Sequence, residues 1–196
     1  MKNKFVIIAL FLVTLMQSQT IIPYSVAIEE DYRNGNYIKD TGGLLNPFVG
    51  IWVWENATNT AKMTIKYVKK EMHDGNGLLN YKEDILVGGY KYEENGVIIT
   101  DKLIFSTNYT DSNYGIIKSR LLTGPGFPLI RVQMPDVAKR KRLFGKFKLN
   151  SNPNLTLLEP LTATLSVVPQ RTWTNDPSKV SLPGNTFPFE MVFTKQ

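Results

Sequence analysis

The run Asn46-Pro47-Phe48-Val49-Gly50-Ile51-Trp52-Val53-Trp54 opens the first long strand of this chain and places a glycine two residues ahead of a tryptophan. Just upstream, Asp40-Thr41-Gly42-Gly43-Leu44-Leu45-Asn46 is the best candidate for about one turn of helix. Downstream, Met63, Ile65 and Tyr67 alternate with Lys62, Thr64 and Lys66, and Ile130, Val132 and Met134 alternate with Arg131 and Gln133. Leu143, Gly145, Phe147 and Leu149 alternate with Lys146 and Lys148, and Leu161, Ala163, Leu165 and Val167 with Thr162, Thr164 and Ser166. The chain ends on a further such run, Phe187, Phe189, Met191 and Phe193. A period of two marks a strand with one buried face.

Turn residues separate these runs, as at Asn56 to Asn59, Asp74-Gly75-Asn76-Gly77, Glu94-Asn95-Gly96, Gly124-Pro125-Gly126 and Asn150 to Asn154. No segment carries a sustained 3.6-residue apolar stripe. The expected class is therefore all-β, with about 8–10 antiparallel strands. So many strands must hide their edges, which a closed barrel does and a two-sheet sandwich also manages.

The chain has 196 residues, 42% of them hydrophobic, enough for one well-packed domain. With no cysteine it has no disulfide, no thiolate nucleophile and no cysteine-held metal, and its single histidine excludes a multi-histidine site. No metal and no cofactor are expected. Lys2 and Lys4 precede the apolar run Phe5 to Met16, interrupted by Thr14 alone. Residues 1–18 read as a secretory signal peptide cleaved after Ser18. Residues 19–36 form an N-terminal extension and residues 37–196 one barrel domain. The protein is expected to be exported, periplasmic or extracellular, without a cysteine-linked lipid and without a transmembrane segment after cleavage.

Gly50-Ile51-Trp52 resembles the Gly-x-Trp signature of the lipocalin-like (calycin) barrels, in which a short helical turn plugs the barrel floor and the tryptophan packs against it. A longer combination adds Tyr37-Ile38-Lys39-Asp40, the run from Leu44 to Asn56, the run Tyr81-Lys82-Glu83-Asp84-Ile85-Leu86-Val87-Gly88-Gly89-Tyr90-Lys91-Tyr92, and the closing Met191 to Gln196. Together these are similar to an uncharacterised secreted family of Bacteroidota that carries a domain-of-unknown-function label. The resemblance implies an exported, antiparallel lipocalin-like β-barrel with Gly50 and Trp52 at its floor. It supplies no catalytic residue.

Catalytic chemistry has little to stand on. His73 is the sole imidazole and sits where a strand runs into a turn. Glu83-Asp84 and Glu93-Glu94 are paired carboxylates, but neighbours on a strand point to opposite faces. Asp74-Gly75-Asn76-Gly77 has half the ligands of a calcium loop and all the features of a hairpin turn. Sequons at Asn56, Asn108 and Asn154 are compatible with chance. The chain is not expected to be an enzyme.

Charge is distributed unevenly. Between residues 118 and 148 stand nine basic residues, Lys118, Arg120, Arg131, Lys139, Arg140, Lys141, Arg142, Lys146 and Lys148, against one acidic residue, Asp136. Two functions follow. By analogy with the barrel fold, Met63, Ile65, Tyr67, Ile85, Val132 and Leu165 would line a site for a small apolar or amphipathic ligand. Alternatively, the basic segment 118–148, with Lys139, Arg140, Lys141 and Arg142 at its exposed turn, would contact an anionic glycan, lipid or partner in the cell envelope. Nucleic acid is not expected, since few aromatics interleave with the cations.

Overall fold

Period-two alternation becomes eleven strands in the computed structural model, which describes residues 19–74, 80–105, 116–122, 128–151, 160–169 and 181–196. They are β1 (Ile21–Pro23), β2 (Tyr37–Lys39), β3 (Gly50–Glu55), β4 (Ala61–Asp74), β5 (Tyr81–Glu94), β6 (Val97–Asp101), β7 (Ile117–Leu122), β8 (Leu129–Asp136), β9 (Lys141–Leu149), β10 (Thr162–Pro169) and β11 (Glu190–Lys195). Eight of them, β3, β4, β5, β7, β8, β9, β10 and β11, close into an antiparallel ring. The seam is made where Leu86, Val87 and Gly88 of β5 pair with Ser119, Lys118 and Ile117 of β7. Closure gives each strand of the ring two neighbours, which is what removes open edges from a barrel. No helix among the described residues is long and apolar enough to cross a membrane.

The floor is built before the wall. The expected helical turn over residues 40–46 lies further on: the 3-10 helix is Asn46–Phe48, with Pro47 in its first turn, where a missing N–H costs nothing. Residues 40–45 are held as turns instead, because the Asp40 carboxylate captures the N–H groups of Leu44 (2.7 Å) and Leu45 (3.0 Å). Trp52 then donates its indole N–H to the Phe48 carbonyl at 2.9 Å. Lys195, at the end of the last strand, lies 5.7 Å from the Trp52 ring and donates to the Pro47 carbonyl at 2.7 Å. The first and last strands of the ring, β3 and β11, are thus tied to the 3-10 helix at one point. Gly50 enters β3 at φ +122°, a backbone conformation that L side chains rarely adopt.

Above the floor, Phe147 stands at the centre of the core. Its ring lies 5.0 Å from Trp52, 5.7 Å from Phe193, 5.9 Å from Tyr67 and 6.2 Å from Phe48, so β9 is packed against β3, β4, β11 and the floor helix at once. Tyr67 needs a gap in the adjoining strand to fit. That gap is Gly88: a Cβ there would come within 2.8 Å of the Tyr67 ring and 2.6 Å of the Lys66 carbonyl. At the other end Phe187 packs on Tyr90 and Tyr92 at 5.9 and 5.8 Å, and Asp136 accepts from the Thr186 N–H at 2.9 Å and from its hydroxyl.

Residues 19–39 form an annex outside the ring. β1 and β2 pair in parallel, and β2 pairs in parallel with β5 through Tyr37–Lys82 and Ile38–Glu83. β6 is also outside the ring, paired with β5 alone and offset by a bulge between Tyr92 and Glu93.

Candidate functional site

Five of the six residues expected to line the interior do face it. Met63, Ile65, Tyr67, Val132 and Leu165 are each 0% exposed and belong to the buried core. Ile85 does not belong with them. β5 pairs without interruption along β4, Gly88 opposite Tyr67 and Tyr90 opposite Ile65, which turns Leu86, Gly88, Tyr90 and Tyr92 inward and Ile85 outward. Ile85 is nonetheless buried, on the outer face it shares with Glu83. Inside, the hydroxyls of Tyr67 and Ser119 are buried neighbours, Ser119 acting on the Tyr67 phenol, and among the described residues neither has a further hydrogen-bond partner.

The outer wall of β7, β8 and β9 carries the charge. Register places Arg120 opposite Arg131, and Arg131 opposite Lys146, a row of three cations across three strands. Glu83 neutralises the first: its carboxylate lies 2.9 Å from the Arg120 guanidinium. Arg131 and Lys146 are exposed and have no ion pair or hydrogen bond from their side chains among the described residues, and exposed Lys148 extends the row along β9. Like charges directly opposed on a sheet oppose folding. The tetrad Lys139 to Arg142 is more occupied than its sequence suggests. Lys139 and Arg140 lie in the β8–β9 turn, the Lys139 carbonyl accepts from Leu182, Lys141 donates to the Gly184 carbonyl, and the Arg142 guanidinium lies 2.8 Å from the Gln133 side-chain amide, whose oxygen is assigned to face it.

A family model matches residues 1–196 in full, that of a family of unknown function, DUF6705. The chain belongs to this family. No curated protein and no solved structure is similar enough to match it.

Two buried clusters brace the wall of this DUF6705 chain rather than open a site in it. Glu83 and Asp84 do point to opposite faces. On the inner side, Asp84 accepts from the Tyr37 hydroxyl (2.7 Å) and the Asp40 N–H (2.9 Å), while Lys69 bridges to Asp40 at 2.9 Å and to Asp84 at 3.8 Å. On the outer side, Glu83 accepts from the Tyr24 hydroxyl and pairs with Arg120, which also donates to Tyr81 at 3.0 Å; Tyr81 meets Tyr32 edge to face. The annex is therefore held against β5 by a buried carboxylate. His73 is exposed and bonded to Asn80 at 2.9 Å. The Asn56 amide is engaged within its own turn, accepting from Thr60 and Ala61. Residues 75–77, Asn108, Asn154 and the signal segment lie outside the described residues. Among the described residues no group of acidic and histidine side chains could hold a metal.

Buried phenols give this DUF6705 chain a pH limit. Burial pushes Tyr90 and Tyr32 up to about 12, and burial likewise raises Tyr24, Tyr37 and Tyr67, with Glu83 adding to Tyr24 and Asp84 to Tyr37. An unfolded chain loses these protons near the ordinary value of about 10. A raised pKa contributes stability that is fully present below about pH 10 and lost as pH climbs through about 12. Alkaline unfolding, followed by circular dichroism, should coincide with a cooperative burst of tyrosinate absorbance. Independent titration of all tyrosines near pH 10 with the fold intact would contradict it.

Proposed function

We propose that the protein is an exported binding protein that works through the outside of its barrel, holding a linear polyanion, such as an acidic polysaccharide, against the wall of β7, β8 and β9. One observation carries the reading: Arg131 and Lys146 are set directly opposite one another, exposed and without a counter-charge among the described residues. A wall that accepts such repulsion is offset when an anion supplies the missing charge. Lys148 on the same face of β9 extends the site along the strand. Sulfate, carboxylate or phosphate groups on a flexible chain can meet such a grid without a pocket. The proposal assigns no catalytic residue, and export rests on the character of residues 1–18.

The test is retention on an immobilised acidic polysaccharide across a salt gradient. Release should come as salt rises, since exposed charge is screened over ~10 Å at 0.1 M and ~3 Å at 1 M. The triple variant Arg131→Ser, Lys146→Ser, Lys148→Ser should bind roughly 10²-fold more weakly, at about 1 kcal/mol for each charge contact in water. Equal retention of the variant, or retention indifferent to salt, sinks the reading.

A second reading, a small apolar or amphipathic ligand inside the barrel, is favoured by the neighbouring buried hydroxyls of Tyr67 and Ser119, to which a polar ligand atom would supply a further partner. The covered state of Met63, Ile65, Val132 and Leu165 weighs against it, because such a ligand must first displace packed side chains. A stoichiometric small molecule released on unfolding the gently purified protein would establish it.

A further inference from the structure

β9 carries an aromatic ring among its cations. Every second residue of the strand faces outward, so Arg142, Phe144, Lys146 and Lys148 stand in one line along the wall, about 7 Å apart. Phe144 takes no part in the core. It is half-buried on the outer face, directly between Gln133 of β8 and Val168 of β10, and Val168 is 64% exposed. The apolar patch this pair makes is small, because Arg142 bounds it on one side and Lys146, backed by Arg131, on the other. β10 adds hydroxyls beside it: Thr164 stands opposite Lys148, and exposed Ser166 opposite Lys146. No outward position of β8, β9 or β10 is a carboxylate, and Phe144 is the one aromatic among them.

We propose that Phe144 and Val168 form a sugar-ring subsite in the basic wall, and that the polyanion held there is a polymer of uronic acids. The inference rests on the polyanion reading above and narrows it to one ligand class. The C–H bonds of a pyranose face carry slight positive charge and pack on the negative face of an aromatic ring. A ring seated on Phe144 brings carboxylates of the same chain toward Lys146 and Arg131 on one side and Arg142 on the other, and its hydroxyls toward Ser166. A polyphosphate or an acidic peptide would satisfy the cations and leave Phe144 and Val168 bare. An acyl chain needs a broader apolar face than one residue pair between cations, and a nucleic-acid strand stacks successive bases on successive aromatics, which this wall lacks.

Calorimetric titration with polygalacturonate and with polyglutamate of matched length, at one salt concentration, tests the subsite, since both polymers offer carboxylates and only the first has rings. Polygalacturonate should bind at least about fivefold more tightly, the scale of one ring stacked on an aromatic face. Phe144→Ala should bring the two affinities within about twofold of one another, while Phe144→Tyr keeps the preference. Circular dichroism checks that the variants fold. Should Phe144→Ala misfold, Val168→Ser, at an exposed position, should narrow the preference in the same direction. Equal affinity of the unaltered protein for the two polymers, or a preference that these substitutions leave intact, overturns the subsite. The polyanion reading fails differently: the triple variant Arg131→Ser, Lys146→Ser, Lys148→Ser then holds both polymers as the unaltered protein does. Absence of binding to either polymer overturns both.

Discussion

Replacing Phe147 with alanine is expected to lower the stability of the barrel by about 3–5 kcal/mol, the range for a fully buried aromatic whose cavity cannot collapse. The ring has no exposed surface and touches four others, on β3, β4, β11 and the floor helix. Those neighbours are anchored separately: Trp52 by its bond to Phe48, and Tyr67 by its seat over Gly88. They cannot close in without breaking those fits, so removal of the ring forfeits both its transfer energy and its contacts. Chemical denaturation should show a lower midpoint with an unchanged slope. Phe144→Ala, on the opposite face of the same strand and half-buried, should cost far less. A loss below about 1.5 kcal/mol for Phe147→Ala would mean that the interior repacks readily, and would strengthen the case for a ligand inside the barrel.

Replacing Glu83 with alanine should cost about 2–4 kcal/mol, somewhat less than the usual penalty for breaking a fully buried pair because the Arg120 side chain is 44% exposed and can recover some hydration. The effect should also be local. Glu83 receives the Tyr24 hydroxyl, and Ile38 sits beside it in the parallel pairing of β2 with β5. Loss of the carboxylate leaves the buried phenol without its acceptor, and the annex of residues 19–39 should detach before the ring opens. Limited proteolysis reports this through earlier cleavage after Arg33, which lies in the annex between β1 and β2. Unchanged protection there would show that backbone pairing alone, such as Tyr24 N–H to the Lys39 carbonyl at 2.9 Å, holds the annex.

Much of the site follows from local pattern. Met63, Ile65 and Tyr67 could be assigned to the interior from the chain alone, since their neighbours Lys62, Thr64 and Lys66 are polar and a strand alternates its faces. The same rule separates Glu83 from Asp84. It fails at Ile85 because β5 is apolar on both sides: Leu86 and Tyr90 face the core, while Ile85 and Val87 are buried on the outer face. Where both faces are covered, alternation carries no sign, and only the pairing with β4 decides it. The basic segment shows the converse. Its cations are conspicuous in the chain, yet the tetrad Lys139 to Arg142 draws the eye to a turn whose side chains are partly engaged, while the unpaired charges stand on the flat of the sheet.

What the chain determined by itself was the all-β class and the alternating faces, because strand periodicity and turn chemistry are properties of neighbouring residues. Tertiary structure alone decided three things. Closure through β5 and β7 enclosed the core around Phe147, antiparallel register set Arg131 against Lys146, and the same closure left β6 outside the ring, paired with β5. Each depends on which distant strands become neighbours, a choice made by the balance of packing and hydrogen bonding over the whole ring rather than by any local run of residues.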